Sequence, residues 1–224
     1  TEMAKAIRIQ ATGGPEVMAL EDVALPPPGP GMVTVANRAI GLNFIDTYFR
    51  SGLYPMPLPS GLGMEGAGVV EAAGEGVDLA VGDRVAYCSA GIGAYAQVLN
   101  LPAARLVRIP EGIDFEQAAA VMLKGQTAEY LLQRTYALQA GETCLFPAAA
   151  GGVGLVCGQW ANSIGARVIG LDVLRHDLRH RGKKFRGDRK SDFDFIVHSP
   201  CQGLVFDDRD TVLDGNLFDL FGDD

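Results

Sequence analysis

This 224-residue chain lacks most marks of a membrane, secreted or metal-binding protein. No apolar run approaches the roughly 20 residues that a transmembrane helix needs. Thr1 to Gln10 has no signal-peptide cleavage pattern, so the cytoplasm is the expected compartment. The four cysteines form no C-x-x-C pair and no set at zinc-ligand spacing. Single reduced thiols are therefore favoured over a metal site or a disulfide framework.

The chain is also short of positive charge. It has 19 Lys and Arg against 27 Asp and Glu, and its formal net charge is -8 at pH 7. An acidic chain repels phosphate backbones, so nucleic acid is not an expected partner. The length and the 48% of hydrophobic residues suit a globular protein with one large domain or two small ones.

Alanine and glutamate are absent from residues 171–224, although residues 1–170 contain 28 alanines. The same segment holds 12 of the 17 aspartates and all three histidines. A boundary between two domains seldom shifts composition this sharply. The sequence therefore predicts that residues 171–224 have a different origin from the rest.

Short β-rich segments with frequent Gly and Pro fill residues 1–112 and predict a small β-barrel-like domain. One short helix is expected there, over Asn43–Arg50, with Asn43 able to cap it. After Asp114 the pattern favours a helix over Phe115–Leu123, a break at Gly125 and a second helix over Thr127–Tyr136.

Residues 142–170 are expected to form, in order, a strand, a glycine turn, a helix over Leu155–Ile164 and a second strand. This order is typical of the start of a βαβ nucleotide-binding unit. The turn, Ala148–Gly154, fits the pattern A-x-x-G-x-x-G. Gly151 and Gly152 would let the backbone approach a pyrophosphate, and Gly154 would let the helix pack closely on the strand. The alternative from these residues alone is a turn that serves close packing only.

Residues around this turn resemble the signature of the quinone oxidoreductase and zeta-crystallin family, namely Gly141-Glu142, Leu145, Ala149 to Gly154, and Gln159. Segments of the first half are similar to the same family: Gly13 to Val17, Asn43 to Tyr48, Arg50 to Tyr54, Gly63 to Gly68, Gly82 to Val85, and Leu123 to Gly125. The resemblance covers about residues 4–170. The chain is thereby identified as a member of the zinc-independent branch of the medium-chain dehydrogenase/reductase superfamily.

The resemblance implies an α/β protein in which a GroES-like barrel domain, residues 1–124, is followed by the first part of a Rossmann NADPH-binding domain, residues 125–170. Residues 171–224 form an unmatched tail, so the Rossmann fold is expected to end after its first two strands. Family members reduce quinones or electron-poor enones with NADPH bound in the cleft between the domains. Relatives are often dimers or tetramers, which leaves a homo-oligomer as an open alternative.

The resemblance also assigns site residues. Tyr48 and Tyr54 are the expected catalytic residues, either of which would donate a hydrogen bond to the developing oxyanion. The expected cofactor-binding residues are Asn43, Asp46, Tyr130, Ala148, Gly151, Gly152, Val153 and Gly154. Without the resemblance, Asn43 would be only a helix cap, Asp46 a solvated helix residue, and both tyrosines core or rim aromatics.

No zinc is expected. The positions where related alcohol dehydrogenases place Cys and His zinc ligands correspond to Asn43 and Met64, and neither is a normal zinc ligand. The resemblance therefore implies reduction of an acceptor that is already electrophilic, with the hydride coming from the nicotinamide.

Three interpretations of the tail stay open. In the first, a replacement or a frame disturbance has altered the end of the chain. In the second, the chain is a short natural variant, in which Asp192–Ile196 alternates like a strand. In the third, Asp172 binds the ribose of NAD. Asp172 lies 18 residues after Gly154, near the spacing of such an acid. The alternative to an enzyme is an inactive nucleotide-binding or scaffold module.

Overall fold

The computed structural model describes residues 2–172 and 193–197. The chain divides into two compact units, residues 1–123 and 124–224. The sequence prediction of a β-rich domain followed by the start of a βαβ fold is confirmed by the strands and helices of these units.

The first unit contains two antiparallel sheets. The three-stranded sheet has the order β2-β1-β4 and consists of β1 (Glu2–Ile9), β2 (Met18–Leu25) and β4 (Ser60–Gly61). The five-stranded sheet has the order β7-β3-β5-β6-β8 and consists of β3 (Met32–Gly41), β5 (Glu65–Ala73), β6 (Arg84–Cys88), β7 (Val98–Pro102) and β8 (Leu106–Arg108).

The core of the first unit lies against the five-stranded sheet. Val33, Val35, Val70, Val85 and Tyr87 are buried together there. Residues two apart on a strand share a face, so the pairs on β3 and β6 both reach this core. β-Branched side chains suit this position because they pack well on a pleated surface.

Helix α1 (Phe44–Ser51) follows β3 directly and begins at the end of that central strand. It ends at Gly52, whose φ of 83° is accessible to glycine at little cost. The Gly13 N–H donates to the Arg50 carbonyl oxygen at 3.0 Å. The C-terminal end of α1 is thus attached to the segment between β1 and β2.

Helix α2 (Phe115–Glu129) runs through Gly125, so the predicted break there is wrong. A glycine inside a helix costs only about 1 kcal/mol relative to alanine, which burial of neighbouring residues such as Ala119 and Ala128 outweighs. The capping box at its start is confirmed: the Gln117 N–H donates to Asp114 Oδ1, and the Asp114 N–H donates to Gln117 Oε1. A π-helical segment, Tyr130–Thr135, follows.

The second unit contains a parallel sheet of order β11-β10-β9, made of β9 (Thr143–Pro147), β10 (Arg167–Asp172) and β11 (Phe193–Val197). The expectation of a two-stranded sheet is therefore wrong, because β11 pairs in register with β10. Helix α3 (Gly152–Ile164) joins β9 to β10 and packs on Cys144, Phe146 and Val168. β11 agrees with the strand expected over Asp192–Ile196 in the short-variant interpretation of the tail. The other tail predictions, over residues 173–192 and 198–224, lie outside the described residues.

Candidate functional site

The N-terminus of α1 gathers polar groups at the end of β3. Asn43 is the N-cap residue, and its backbone N–H donates to Asp46 Oδ2 at 3.0 Å. Asp46 is 5% exposed, so the interpretation of this residue as a solvated helix residue is wrong. Carboxylates are favourable at this end of a helix because the first N–H groups and the helix dipole are positive.

Glu65, the first residue of β5, is a partner of the Asn43 side chain. Asn43 Nδ2 donates to Glu65 Oε2 at 2.7 Å, and the Leu123 N–H donates to Glu65 Oε1 at 2.6 Å. Glu65 is fully buried. Burial raises the pKa of the neighbouring Cys88 thiol, and the Glu65 carboxylate raises it further. The Cys88 thiol therefore stays protonated at neutral pH.

Tyr95 is a site residue that the sequence analysis missed. Its phenol O–H donates to Asp46 Oδ2 at 2.7 Å. Burial raises the pKa of Tyr95, and the hydrogen bond to the Asp46 carboxylate raises it further. The Tyr95 ring also occupies the space where a Cβ on Gly63 would lie. Glycine at position 63, in the G-x-E-x-x-G segment, is the sequence signal for this close approach.

The predicted catalytic tyrosines lie together in an aromatic cluster. The rings of Tyr48 and Tyr54 have centroids 5.3 Å apart, and Phe44 and Phe49 flank them edge to face at 5.4 and 5.6 Å. Tyr54 is 43% exposed and Phe44 is 74% exposed. Such contacts between rings stabilise a fixed arrangement of the side chains. The cluster presents aromatic surface on α1 and the loop after it.

The glycine turn of the second unit connects β9 to α3. Ala148 has a φ of 55°, and its carbonyl oxygen accepts a hydrogen bond from the Gly151 N–H at 2.9 Å. Gly154 is buried, and a Cβ there would overlap the Ala149 backbone. Glycine at position 154 therefore allows the helix to pack closely on the strand, as the sequence predicts. The helix begins at Gly152, three residues earlier than predicted.

The start of α3 is open to an anion. The N-cap residue, Gly151, has no side chain to cap the helix, and the first turn holds no acid. The first N–H groups of a helix have no intrahelical acceptor, so Gly152 and Val153 present donors there. Gly151 and Gly152 are exposed. A Cβ added at Gly152 would lie 3.0 Å from carbon atoms of the flexible Lys124 side chain.

The structure brings the predicted residues together in two groups. Asn43, Asp46, Tyr48 and Tyr54 lie on or beside α1 in the first unit. The turn residues lie in the second unit, and Tyr130 begins the π-helical segment there with its side chain 58% exposed.

Neither a metal cluster nor a membrane span occurs within the described part of the chain. No three His, Cys, Asp or Glu side chains among these residues are placed to hold a metal ion. No helix in the same residues has the length and hydropathy needed to cross a bilayer.

Comparison with known proteins agrees with this geometry. Residues 29–111 match the alcohol dehydrogenase GroES-like domain. A quinone oxidoreductase of Pseudomonas aeruginosa is 61% identical over 170 residues, which are 75% of this chain and 52% of that protein. The matched part of the chain belongs to the quinone oxidoreductase family. The resemblance stated from the motifs is thereby confirmed.

Solved structures of quinone oxidoreductases show the same fold. The enzyme of Pseudomonas syringae pv. Tomato superposes with a TM-score of 0.74 at 58% identity, over 75% of this chain and 53% of that chain. The Escherichia coli quinone oxidoreductase complexed with NADPH superposes with a TM-score of 0.73 at 49% identity, over 75% of this chain and 52% of that chain. The present chain thus spans about half the length of the quinone oxidoreductases that it matches.

Proposed function

We propose that this chain carries the substrate domain and the first cofactor-binding elements of an NADPH-dependent quinone oxidoreductase. Its acceptor is a quinone or an electron-poor enone, and the reaction uses no zinc. The observation that carries the proposal is the start of α3, where a glycine N-cap and an acid-free first turn leave backbone donors open to a pyrophosphate. The 49% identity to an enzyme solved with NADPH supports the choice of cofactor.

The residues of the glycine turn fit a dinucleotide. Gly151 and Gly152 are exposed and have no Cβ to hold the phosphates away, whereas Gly154 is buried against Ala149. In this proposal the N–H groups of Gly152 and Val153 bind the pyrophosphate. Ala148 and Tyr130 complete the cofactor-binding residues, Ala148 through its left-handed backbone conformation and Tyr130 through its exposed ring.

The residues at the N-terminus of α1 fit the nicotinamide end. Asn43 and Asp46 have amide and carboxylate groups that recognise the hydrogen-bonding edge of a carboxamide. Asp46 Oδ1 is buried without a hydrogen-bond partner, the one such side-chain atom among the described residues. An unpaired buried acceptor costs about 1–3 kcal/mol, which a donor on the cofactor would recover.

The bound NADPH supplies the hydride, and the protein positions and stabilises the acceptor. Tyr48 or Tyr54 donates a hydrogen bond, through its phenol O–H, to the oxygen on which negative charge develops. Their neighbouring rings, inclined at 57° to each other, offer apolar surface against which the ring of a quinone packs. The hydroquinone takes its protons from solvent. By the family resemblance, Asn43 and Met64 correspond to the zinc-ligand positions of alcohol dehydrogenases, and this supports an electrophilic acceptor rather than an alcohol.

Titration of the purified chain with NADPH, followed by cofactor fluorescence, tests cofactor binding. We expect saturable binding that is tighter for NADPH than for NADH. Absence of binding, while the Pseudomonas aeruginosa relative binds under the same conditions, would contradict the proposal. Tighter binding of NADH would instead favour a ribose-binding role for Asp172.

A further inference from the structure

The side chain of Asn37, on the inner strand β3, connects that strand to a distant segment of the first unit. Its Oδ1 accepts from the Tyr87 hydroxyl at 2.9 Å. Its Nδ2 donates to two backbone carbonyl oxygens, those of Ala94 at 3.1 Å and Ala96 at 2.9 Å. A side-chain amide has two N–H donors, and both find an acceptor here. Asn37 thereby fixes a segment that lies 57 to 59 positions further along the chain.

Tyr95 lies between the two carbonyl groups that Asn37 binds. The Ala96 N–H donates to the Ala94 carbonyl oxygen at 2.7 Å, which makes a three-residue γ-turn with Tyr95 at its centre. The Tyr95 N–H donates to the Leu62 carbonyl oxygen at 2.9 Å. The backbone is thus held by hydrogen bonds before, at and after Tyr95, and this sets the direction in which the phenol side chain leaves the turn.

Two glycines of the G-x-E-x-x-G segment make space for this network. A Cβ on Gly63 would overlap the Tyr95 ring, and a Cβ on Gly66 would overlap the Tyr87 hydroxyl. Tyr87 is itself buried, with 1% of its surface exposed. The segment therefore admits both tyrosines, at the two ends of a series of hydrogen bonds that leads from Tyr87 towards Asp46.

The series ends at the Asp46 carboxylate. Oδ2 accepts from the Tyr95 O–H at 2.7 Å and from the Asn43 backbone N–H at 3.0 Å. Oδ1 is buried and has no hydrogen-bond partner among the described residues. Rotation about the Cβ–Cγ bond would exchange the two oxygens, and two donors on the same oxygen oppose that rotation. An unpaired buried acceptor costs about 1–3 kcal/mol, so the carboxylate stays in this arrangement because its surroundings hold it there.

We propose that Asn37 is a positioning residue that keeps Asp46 Oδ1 unpaired and available to the cofactor. Asn37 acts through Tyr95: it holds the carbonyl groups of Ala94 and Ala96, the turn between them directs the phenol, and the phenol holds Oδ2. The effect on the cofactor rests on the proposed function, in which Asp46 binds the nicotinamide end of NADPH. Replacing Asn37 should therefore weaken a contact that Asn37 does not itself make.

NMR of the purified chain with ¹³C at the tyrosine Cζ atoms tests the positioning without NADPH. The chain has six tyrosines, and the signal that Tyr95→Phe removes is that of Tyr95. A phenol that donates to a carboxylate gains phenolate character, which moves its Cζ signal downfield. Asn37→Ala should therefore move the Tyr95 signal upfield. An unchanged Tyr95 signal in a folded Asn37→Ala chain would overturn the proposal.

Asn100 offers a matched control in the same sheet. Its Oδ1 accepts from the Thr34 hydroxyl at 2.6 Å, and its Nδ2 donates to the Pro26 carbonyl oxygen at 2.8 Å. Asn100 thus has the same kinds of partner as Asn37, but these do not flank Tyr95. Asn100→Ala should leave the Tyr95 signal in place. Equal movement of that signal in the two alanine variants would mean that it reports a general loss of packing, and the proposal would be wrong.

A milder pair of variants decides the question if Asn37→Ala does not fold. Tyr87→Phe and Thr34→Val each remove one hydroxyl that donates to an asparagine Oδ1, and each leaves the asparagine in place. We expect Tyr87→Phe to move the Tyr95 signal upfield by a smaller amount than loss of the whole amide would, and Thr34→Val to leave it unchanged. A Tyr95 signal that responds to neither variant, or to both equally, contradicts the proposal.

Titration with NADPH then connects Asn37 with the cofactor. We expect Asn37→Ala and Tyr95→Phe each to raise the Kd about tenfold, and Asn100→Ala to leave it unchanged. The double variant Asn37→Ala/Tyr95→Phe should bind as Tyr95→Phe does, because both changes act through the same phenol. Two increases that multiply in the double variant would overturn the proposal. If the wild-type chain binds no NADPH, the proposed function fails, while the Tyr95 signal still decides whether Asn37 positions that residue.

Discussion

Tyr95 donates its phenol O–H to Oδ2 of Asp46 at 2.7 Å. The same oxygen accepts the backbone N–H of Asn43 at 3.0 Å, and the other oxygen, Oδ1, is buried without a hydrogen-bond partner in the described residues. The Tyr95 side chain therefore orients a carboxylate whose remaining oxygen is held ready for a donor. Under the proposed function, in which Asp46 binds the cofactor, stability and cofactor recognition would be coupled at this residue.

Replacing Tyr95 by Phe removes the only side-chain hydrogen bond that the described structure gives to Asp46 Oδ2. We expect the free energy of unfolding in urea to fall by about 1–3 kcal/mol, the cost of depriving a buried charged acceptor of one donor. Tyr136→Phe is the matched control, because the exposed Tyr136 side chain donates its hydroxyl to Glu142. Its loss should stay below about 0.5 kcal/mol. Equal losses in the two variants would contradict this account of Asp46.

Two glycines of the turn should respond differently to alanine. In Gly154→Ala the new Cβ would overlap backbone atoms of Ala149, so we expect a loss of about 1–3 kcal/mol in stability. In Gly151→Ala the nearest atom is the Ala148 carbonyl oxygen at 3.1 Å, and the φ of -77° suits alanine. Its stability should change by no more than about 1 kcal/mol. Its Kd for NADPH should rise, because the methyl group lies where the phosphates approach.

Parallel urea unfolding and NADPH titration of these two glycine variants separate packing from binding. If Gly151→Ala bound NADPH as well as the wild type, the assignment of the pyrophosphate to this turn would be wrong.

The stability of the first unit should fall at alkaline pH. Burial raises the pKa of Tyr87 above its ordinary value of 10.0, and burial and Asp46 raise the pKa of Tyr95. The unfolded chain then loses these protons at a lower pH than the folded chain does. Stability is fully present below about pH 10 and is lost as the pH rises beyond it, with a slope that approaches about 1.4 kcal/mol per pH unit for Tyr87.

Urea unfolding across this alkaline range checks the sign. Tyr87→Phe loses the hydrogen bond to Asn37 Oδ1, so it should be less stable at neutral pH by about 1 kcal/mol, but its stability should fall less steeply with pH. A wild-type stability that is constant or increases above pH 10 would contradict the account.

Replacement by phenylalanine at Tyr48 and at Tyr54, one at a time, shows which of the two tyrosines is catalytic. Phenylalanine keeps the ring contact at 5.3 Å and removes only the hydroxyl. The tyrosine that donates to the acceptor oxygen should lose about tenfold to a thousandfold in kcat, with the KM for the quinone little changed. The other variant should resemble the wild type. Unchanged kcat in both single variants and in the double variant would remove the oxyanion role from this cluster.

Much of the fold was predictable because its signals are local. Asn43 caps α1 as expected, since a capping residue acts within three positions of itself. The capping box of Asp114 and Gln117 is local in the same way. The break predicted at Gly125 was wrong, because helix propensity carries no information on how much apolar surface a helix buries.

The hydrogen bonds of the site were not predictable, because their partners are distant in sequence. Asn43 and Glu65 are 22 residues apart, and Asp46 and Tyr95 are 49 apart. Nothing in the spacing of an acid and a phenol indicates that the fold will join them. Gly41 and Gly63 show instead where side chains from elsewhere approach the backbone, although not which side chains these are.

The most direct test of the central claim is NADPH oxidation by the purified chain with a simple quinone, followed by the loss of cofactor absorbance. The account predicts oxidation that requires both the chain and the quinone and that falls in Gly151→Ala. No oxidation, with the Pseudomonas aeruginosa relative active in the same assay, would contradict the proposal that this chain reduces quinones.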